Sequence, residues 1–169
     1  MDNFLNQLPA LLGVIVGAAA SYLATRVGDK TRWMRSQRVR WEDKRVQVYA
    51  DYGHAVKRVY ELSKRLAASR GLPTNAGPLS LESGLEDLTQ AGIERSEMWE
   101  RLLLVGDPDA VAAARTWHHI LWQLEAFAHG RLSDPDQWKA ADRAFRDARS
   151  RFYETARHDL GITSGPLPE

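Results

Sequence analysis

Two Glu-x-x-x-His pairs, Glu125/His129 and Glu154/His158, are the residues whose types and spacing come nearest to chemistry. A carboxylate and an imidazole one helical turn apart share a face, and two such faces opposed in a bundle can hold metal ions. His118 and Trp122 continue the first stripe upstream. The offset argues against a metal centre, because di-metal bundles use Glu-x-x-His together with a glutamate from each of two further helices. Both pairs also fall near predicted helix C-termini, where histidine is favourable through its attraction to the helix dipole. His118-His119 reads as a helix surface and flank pair, and His54, beside an apolar stripe, as a satisfied half-buried histidine. No P-loop, Gly-x-Ser-x-Gly turn or Gly-rich phosphate cradle is present. Cysteine is absent, which excludes a disulfide framework, a thiolate metal site and a cysteine nucleophile. The expectation is a protein that is not an enzyme and takes no metal or cofactor. A metal-dependent helical-bundle enzyme is the alternative from another class.

The elements that would position these residues are helices throughout, since apolar residues recur at spacings of three and four and no strand-like alternation appears. From Trp41 a heptad rhythm runs through Val48, Ala55 and Leu62, with a second row of Tyr52, Val59 and Leu66 that Arg45 interrupts. Tyr49, Val56 and Tyr60 widen the stripe, which suits a bundle better than a two-stranded coiled coil. The stretch 69–80 is a Gly- and Pro-rich loop. A second helix is expected over 81–105, irregular in its first half because of Gly84 and Gly92, with Leu81, Leu85, Leu88, Trp99, Leu102 and Leu103 apolar. Gly106-Asp107-Pro108 closes it and starts a third helix with a cap and a first-turn proline. That helix runs to about Ala128 with Val111, Ala114, Trp117, Leu121, Leu124 and Phe127 inward. Trp117 and Trp122 are five residues apart and cannot both face one core. Asp134-Pro135 repeats the start signal for a fourth helix, with Trp138, Ala141, Phe145, Ala148, Phe152 and Ala156 on one face and a C-cap at Leu160-Gly161-Ile162. Short turns imply antiparallel neighbours, hence an up-down four-helix bundle.

The N-terminal part reads differently. No charged side chain occurs from Asn3 to Thr25, and this stretch would span roughly 35 Å as a helix, enough for a hydrocarbon core of about 30 Å. A cleaved signal peptide ending near Ala18-Ala19-Ala20 is the rival reading, but it lacks a basic leading region. Residues 26–45 hold eight Lys/Arg against three Asp/Glu, whereas 46–169 hold fifteen against eighteen. By the positive-inside rule this places the N-terminus outside and the bundle in the cytoplasm, as a single-pass protein of the inner (plasma) membrane. Gly13, Gly17 and Ser21 form a small-residue stripe for helix packing. Arg26, Lys30, Arg32, Trp33, Arg35, Arg38, Arg40 and Trp41 form a surface for anionic lipid headgroups. The whole is an all-α chain with one transmembrane helix (1–25), a basic juxtamembrane helix (26–45), a bundle (46–162) and a flexible tail (163–169).

The run from Leu12 to Tyr52, with Arg40, Trp41, Arg45, Tyr49 and Tyr52 opening the helical domain, resembles uncharacterised small membrane-anchored helical proteins of high-GC Gram-positive bacteria. The resemblance implies the anchored topology and no assigned activity. The functional expectation is therefore a membrane-tethered interaction or scaffold module at the cytoplasmic face. Its partner is a protein or a second copy, with no nucleic acid, since no recognised binding pattern follows the basic block. A subunit of a larger transport, defence or envelope complex is the alternative.

Overall fold

The computed structural model describes residues 41–162. They belong almost wholly to one of the two compact units into which the chain divides, Lys44–Glu169, the other being Met1–Asp43. Every regular element among them is helical: α1 (41–69), α2 (Leu81–Val105), α3 (Pro108–Ala128) and α4 (Pro135–Asp159), with no strand. The result is an all-α helical bundle.

Local chemistry sets most of the boundaries. Asp107 accepts from the Asp109 N–H, and Asp134 accepts from the Asp136 and Gln137 N–H groups, so each satisfies donors orphaned at a helix start. Pro108 and Pro135 follow them in the first turn. Gly71, Gly130 and Gly161 all have φ near +70 to +80°. Each lets the next residue's N–H return to a carbonyl in the last turn, Leu72 to Ala67, Arg131 to Ala126 and Ile162 to Arg157. Gly106 differs. It caps α2 in an extended conformation, its N–H bonded to the Leu102 carbonyl.

Cross-helix contacts give the directions. Arg45 and Tyr49 meet Asp159 while Tyr60 meets Asp142, so α1 and α4 run antiparallel. Arg58 pairs with Glu94 and Tyr52 lies against Trp99, which sets α2 antiparallel to α1. Trp117 packs on Phe145 and Phe152, and Phe127 on Trp138, so α3 and α4 are antiparallel and closely packed. Trp117, Trp138, Phe145, Phe152, Leu121 and Leu124 fill the core with Tyr52, Val56, Val59 and Leu66 of α1.

The expected inner face of α4 is buried at all six positions, and that of α3 at five, with Val111 half-buried. Trp117 is buried and Trp122 exposed. On α1 the buried rows are Tyr52-Val59-Leu66 and Tyr49-Val56-Ser63, so the row through Trp41, Val48, Ala55 and Leu62, in which Val48 alone is buried, is a flank rather than a centre. On α2, Leu81 and Leu103 are exposed, and the helix is regular through Gly84, whose missing Cβ leaves room for Leu66 and Leu79 to pack against it.

The membrane expectation requires correction. Among the described residues no helix is long and apolar enough to cross a membrane, because each is amphipathic and carries charged side chains on its outer face. The residues on which a span was expected, 1–25, lie outside those described, as does the tail 163–169. Placement as a single-pass inner-membrane protein with a cytoplasmic domain is therefore not supported.

Two mid-helix glycines in contrasting surroundings give a direct test of this packing. A Cβ at Gly92 meets nothing within 4 Å, whereas one at Gly53 would overlap the Tyr153 hydroxyl. Gly92→Ala should therefore raise unfolding stability in urea by about 1 kcal/mol, the intrinsic helix gain. Gly53→Ala should lower stability, because Tyr153 must leave its place against Phe152 and Trp117.

Candidate functional site

The residues with the most distinctive chemistry converge between α2 and α3. The buried face of α2 runs Gly84, Leu88, Ala91, Arg95, Leu102, so the helical repeat delivers an arginine to a core position. Its guanidinium pairs with Glu125 of α3 at 2.6 Å, with side-chain exposures of 7% and 17%. The Arg95 Nε has no hydrogen-bond partner. One turn from Trp122 and two from Glu125 on the same row stands His118, its ring edge-on to Trp99 at 5.5 Å and to Trp122 at 4.8 Å. His118 Nδ1 is likewise buried without a partner. Burial, then the neighbouring charges of Arg95 and His119, bring the His118 pKa down to about 4, so the imidazole is neutral at pH 7.

This arrangement explains why α2 approaches α3 at few points while α3 and α4 lie close. Helix separation follows the size of the side chains at the contact. An arginine, a glutamate, two indoles and an imidazole hold α2 and α3 apart, whereas alanines such as Ala110, Ala114, Ala141 and Ala148 are buried on α3 and α4.

The Glu-x-x-x-His pairs do not come together. Glu125 is committed to Arg95, His129 is exposed at the C-cap of α3, and Glu154 and His158 are exposed on α4. No group of three or more metal-ligating side chains forms among the described residues. His54, expected half-buried, is exposed beside Asp51, Arg58 and Glu94. Of the residues assigned to helix packing and lipid contact, Gly13, Gly17, Ser21, Arg26, Lys30, Arg32, Trp33, Arg35, Arg38 and Arg40 lie outside those described. Trp41 is described and exposed.

Three polar features went unread in the sequence. The first is the Arg95–Glu125 pair, whose signal was available: Arg95 stands four residues after Ala91 and seven before Leu102, in register with the buried face. The second is Asp159, which accepts from Arg45 at 2.6 Å and from the Tyr49 hydroxyl at 2.8 Å, while Tyr49 accepts in turn from the Asp107 N–H. Burial foremost pushes the Tyr49 pKa up to about 12, so the phenol keeps its proton. The third is Tyr60, which donates to Asp142 at 2.6 Å. These last two join residues more than fifty positions apart and left no local signal.

No protein-family model, curated protein or solved structure matches the chain.

Removing one partner of the ion pair leaves the other buried. Glu125→Leu should cost about 3 kcal/mol in urea unfolding, and Arg95→Met/Glu125→Leu together should recover most of that loss. Equal destabilisation by the single and double variants would remove the pair from this role.

His118 gives a pH signature. Its folded pKa is depressed below the ordinary value of 6.5, so acid protonates the unfolded chain first. Its contribution to stability is full above about pH 6.5 and is lost as pH falls toward 4. His118→Gln should show a shallower fall in thermal midpoint than wild type across that window.

Proposed function

We propose that the protein is a non-enzymatic helical interaction module that docks a basic amphipathic helix on the outward side of α2. One observation carries the reading, a depression of about 510 Å³ over Gly92. Thr89, Gly92, Ile93 and Ser96 border it, and Ile93, Ser96, Glu97 and Glu100 continue it. Each quartet has the i, i+3, i+4, i+7 spacing of a hole that receives a side-chain knob from a second helix. Nothing stands over the Gly92 Cα, and Ile93 is 52% exposed. On the neighbouring helix Trp122 is 53% exposed, a large aromatic of the type that anchors protein contacts.

Charge supports the nature of the occupant. α2 carries Glu82, Glu86, Asp87, Glu94, Glu97 and Glu100 against Arg95 and Arg101; Glu94 is paired with Arg58 and Arg95 with Glu125, which leaves five acids against Arg101. Glu97 and Glu100 are exposed beside the holes. A helix with small apolar knobs flanked by Lys or Arg complements both the shape and the sign of this face. The reading is non-enzymatic because the groups with most chemical capacity are spent on packing: Glu125 on Arg95, and His118 between two indoles.

The test is calorimetric titration of the full chain with a synthetic helical peptide bearing Leu and Ala at its heptad core positions and Lys at the flanks. A control peptide replaces each Lys by Glu. The lysine peptide should bind, more weakly as salt rises, and the glutamate peptide should not. Ile93→Lys should weaken binding at least tenfold, about 1.4 kcal/mol, with an unchanged thermal midpoint. Equal binding of both peptides, or full binding by Ile93→Lys, defeats the reading. A dimer that Ile93→Lys disrupts, without peptide binding, makes the occupant a second copy instead.

A further inference from the structure

A second recess lies on the other flank of α1, between that helix, the segment after it and α4. The segment 70–80 joins α1 to α2, and its backbone is pinned at both ends. The Leu72 N–H bonds the Ala67 carbonyl at 3.0 Å, and the Trp138 indole N–H donates to the Pro73 carbonyl at 2.9 Å. At the far end the Leu79 N–H donates to Ser69 Oγ at 2.8 Å. Between these ties the Thr74 hydroxyl accepts from the Ala76 N–H at 3.2 Å. Two prolines, Pro73 and Pro78, restrict it further. A segment so held forms a preformed wall. Behind it is a pocket of about 370 Å³, within the roughly 300–1,000 Å³ of small-ligand sites.

The donors and acceptors around the pocket do not balance. Asp142 is the carboxylate in its lining, and both oxygens are engaged, Oδ1 by the Tyr60 hydroxyl at 2.6 Å and Oδ2 by Arg146 at 3.2 Å. Lys64 stands beside it with its ammonium 5.1 Å above the Tyr60 ring. The Lys64 side chain is 14% exposed, and its ion contact, to Glu61, is 3.7 Å long, beyond hydrogen-bonding distance. An ammonium has three N–H donors, and that of Lys64 stays open to water and to a ligand. Thr74 and Asn75 add a hydroxyl and an amide to the same lining. The site thus holds two cations against one carboxylate, and since Arg146 is paired with Asp142 its surplus is one positive charge, at Lys64, together with the donors of Thr74 and Asn75. The group that completes it brings negative acceptor oxygens.

We propose that this pocket binds a small polar oxyanion, its phosphate or carboxylate group seated between Lys64 and Arg146 and its remaining polar atoms toward Thr74 and Asn75. The phosphate and carboxylate forms share this chemistry and are separated by experiment. The site is independent of the helix-docking face, since none of its residues lies on α2.

Trp138 provides the reporter, because its indole N–H is bonded to the pocket wall at Pro73. The full chain, labelled with nitrogen-15, is titrated with inorganic phosphate and separately with succinate, at constant ionic strength set by chloride. The Trp138 indole resonance should shift along a saturable curve with at least one probe, and the tighter probe identifies the head group. The indoles of Trp117 and Trp122 should hold still. Lys64→Met and Arg146→Gln should each weaken binding tenfold or more, while Lys57→Met, on the exposed side of α1, should leave it unchanged. A shift that never saturates, that chloride alone reproduces, or that survives both pocket variants overturns the proposal.

Discussion

Three tyrosines on one side of α1 set the terms on which this bundle assembles. Tyr49, Tyr52 and Tyr60 are buried as rings, yet each carries a hydroxyl that would cost about 1–3 kcal/mol if stripped of water and left unpaired. The fold answers each one. Tyr49 reaches Asp159 near the end of α4, Tyr52 the Ala114 carbonyl on α3, and Tyr60 Asp142 two-thirds of an α4 length away. Burial raises the pKa of all three, so they are fixed as neutral donors. Sliding α1 against α4 by one turn would break two of these bonds at once and leave two carboxylates facing apolar rings. The register of α1 is therefore specified by hydrogen bonds, and the stacking of Tyr60 on Phe145 at 4.1 Å and the edge-to-face contact of Tyr52 with Phe152 at 5.5 Å follow from it.

The same constraint leaves α2 as the differently held member. α1, α3 and α4 share the aromatic core, in which Trp117 touches Tyr52, Phe145 and Phe152. α2 joins through Leu88, Ala91 and Leu102 at its centre and through long side chains at its edges, Arg58–Glu94 toward α1 and Arg95–Glu125 toward α3. An ion pair buried to this degree contributes little net stability compared with well-packed apolar residues, although breaking it is costly. It does impose a register, because Arg95 has one carboxylate within reach. α2 is thus held in register with modest apolar burial, and its outer side keeps Ile93 and Leu104 in solvent. Exposure of that kind on an element so attached fits a surface that receives another helix.

Helix limits were legible where the chain carries its own punctuation. The Asp-Pro starts at 107–108 and 134–135 and the glycines at 130 and 161 act within a few residues, so reading them needs no knowledge of the partner helices. The inner face of α4 was legible for a related reason, since its large apolar residues all fall on one stripe. α1 was harder. Its buried face includes three tyrosines and Ser63, residues whose polarity places them at the margin of a hydrophobic stripe although the core encloses them. Arg95 falls in register with the buried face of α2, so its place was legible in the helical repeat, whereas its partner Glu125 lies thirty positions on and carried no local signal. The site residues chosen from the basic N-terminal block, Trp41 apart, fall outside the described structure, so what legibility there is concerns the bundle.

The polar pocket and the α2 face stand on opposite flanks of α1, and that geometry bears on how they relate. On one flank Tyr60 and Lys64 face Asp142 and Arg146 of α4; on the other Arg58 faces Glu94 of α2. Between the two flanks runs the row Val56, Val59, Leu66, buried without residual exposure. A packed interior of this kind resists small displacements, and coupling between distant sites needs an element with two discrete arrangements. α1 offers none, because its register is set by hydroxyl bonds that a partial shift cannot satisfy. Occupancy of the pocket therefore leaves α2 where it is. The covalent path between the sites is the connecting segment 70–80, whose Leu79 methyl lies against Gly84 in the first turn of α2 while Pro73 walls the pocket. That path is pinned independently at Pro73 and at Leu79, and two separate anchors in series transmit little motion. On the two proposals made above, the bundle presents both surfaces at once rather than trading one for the other.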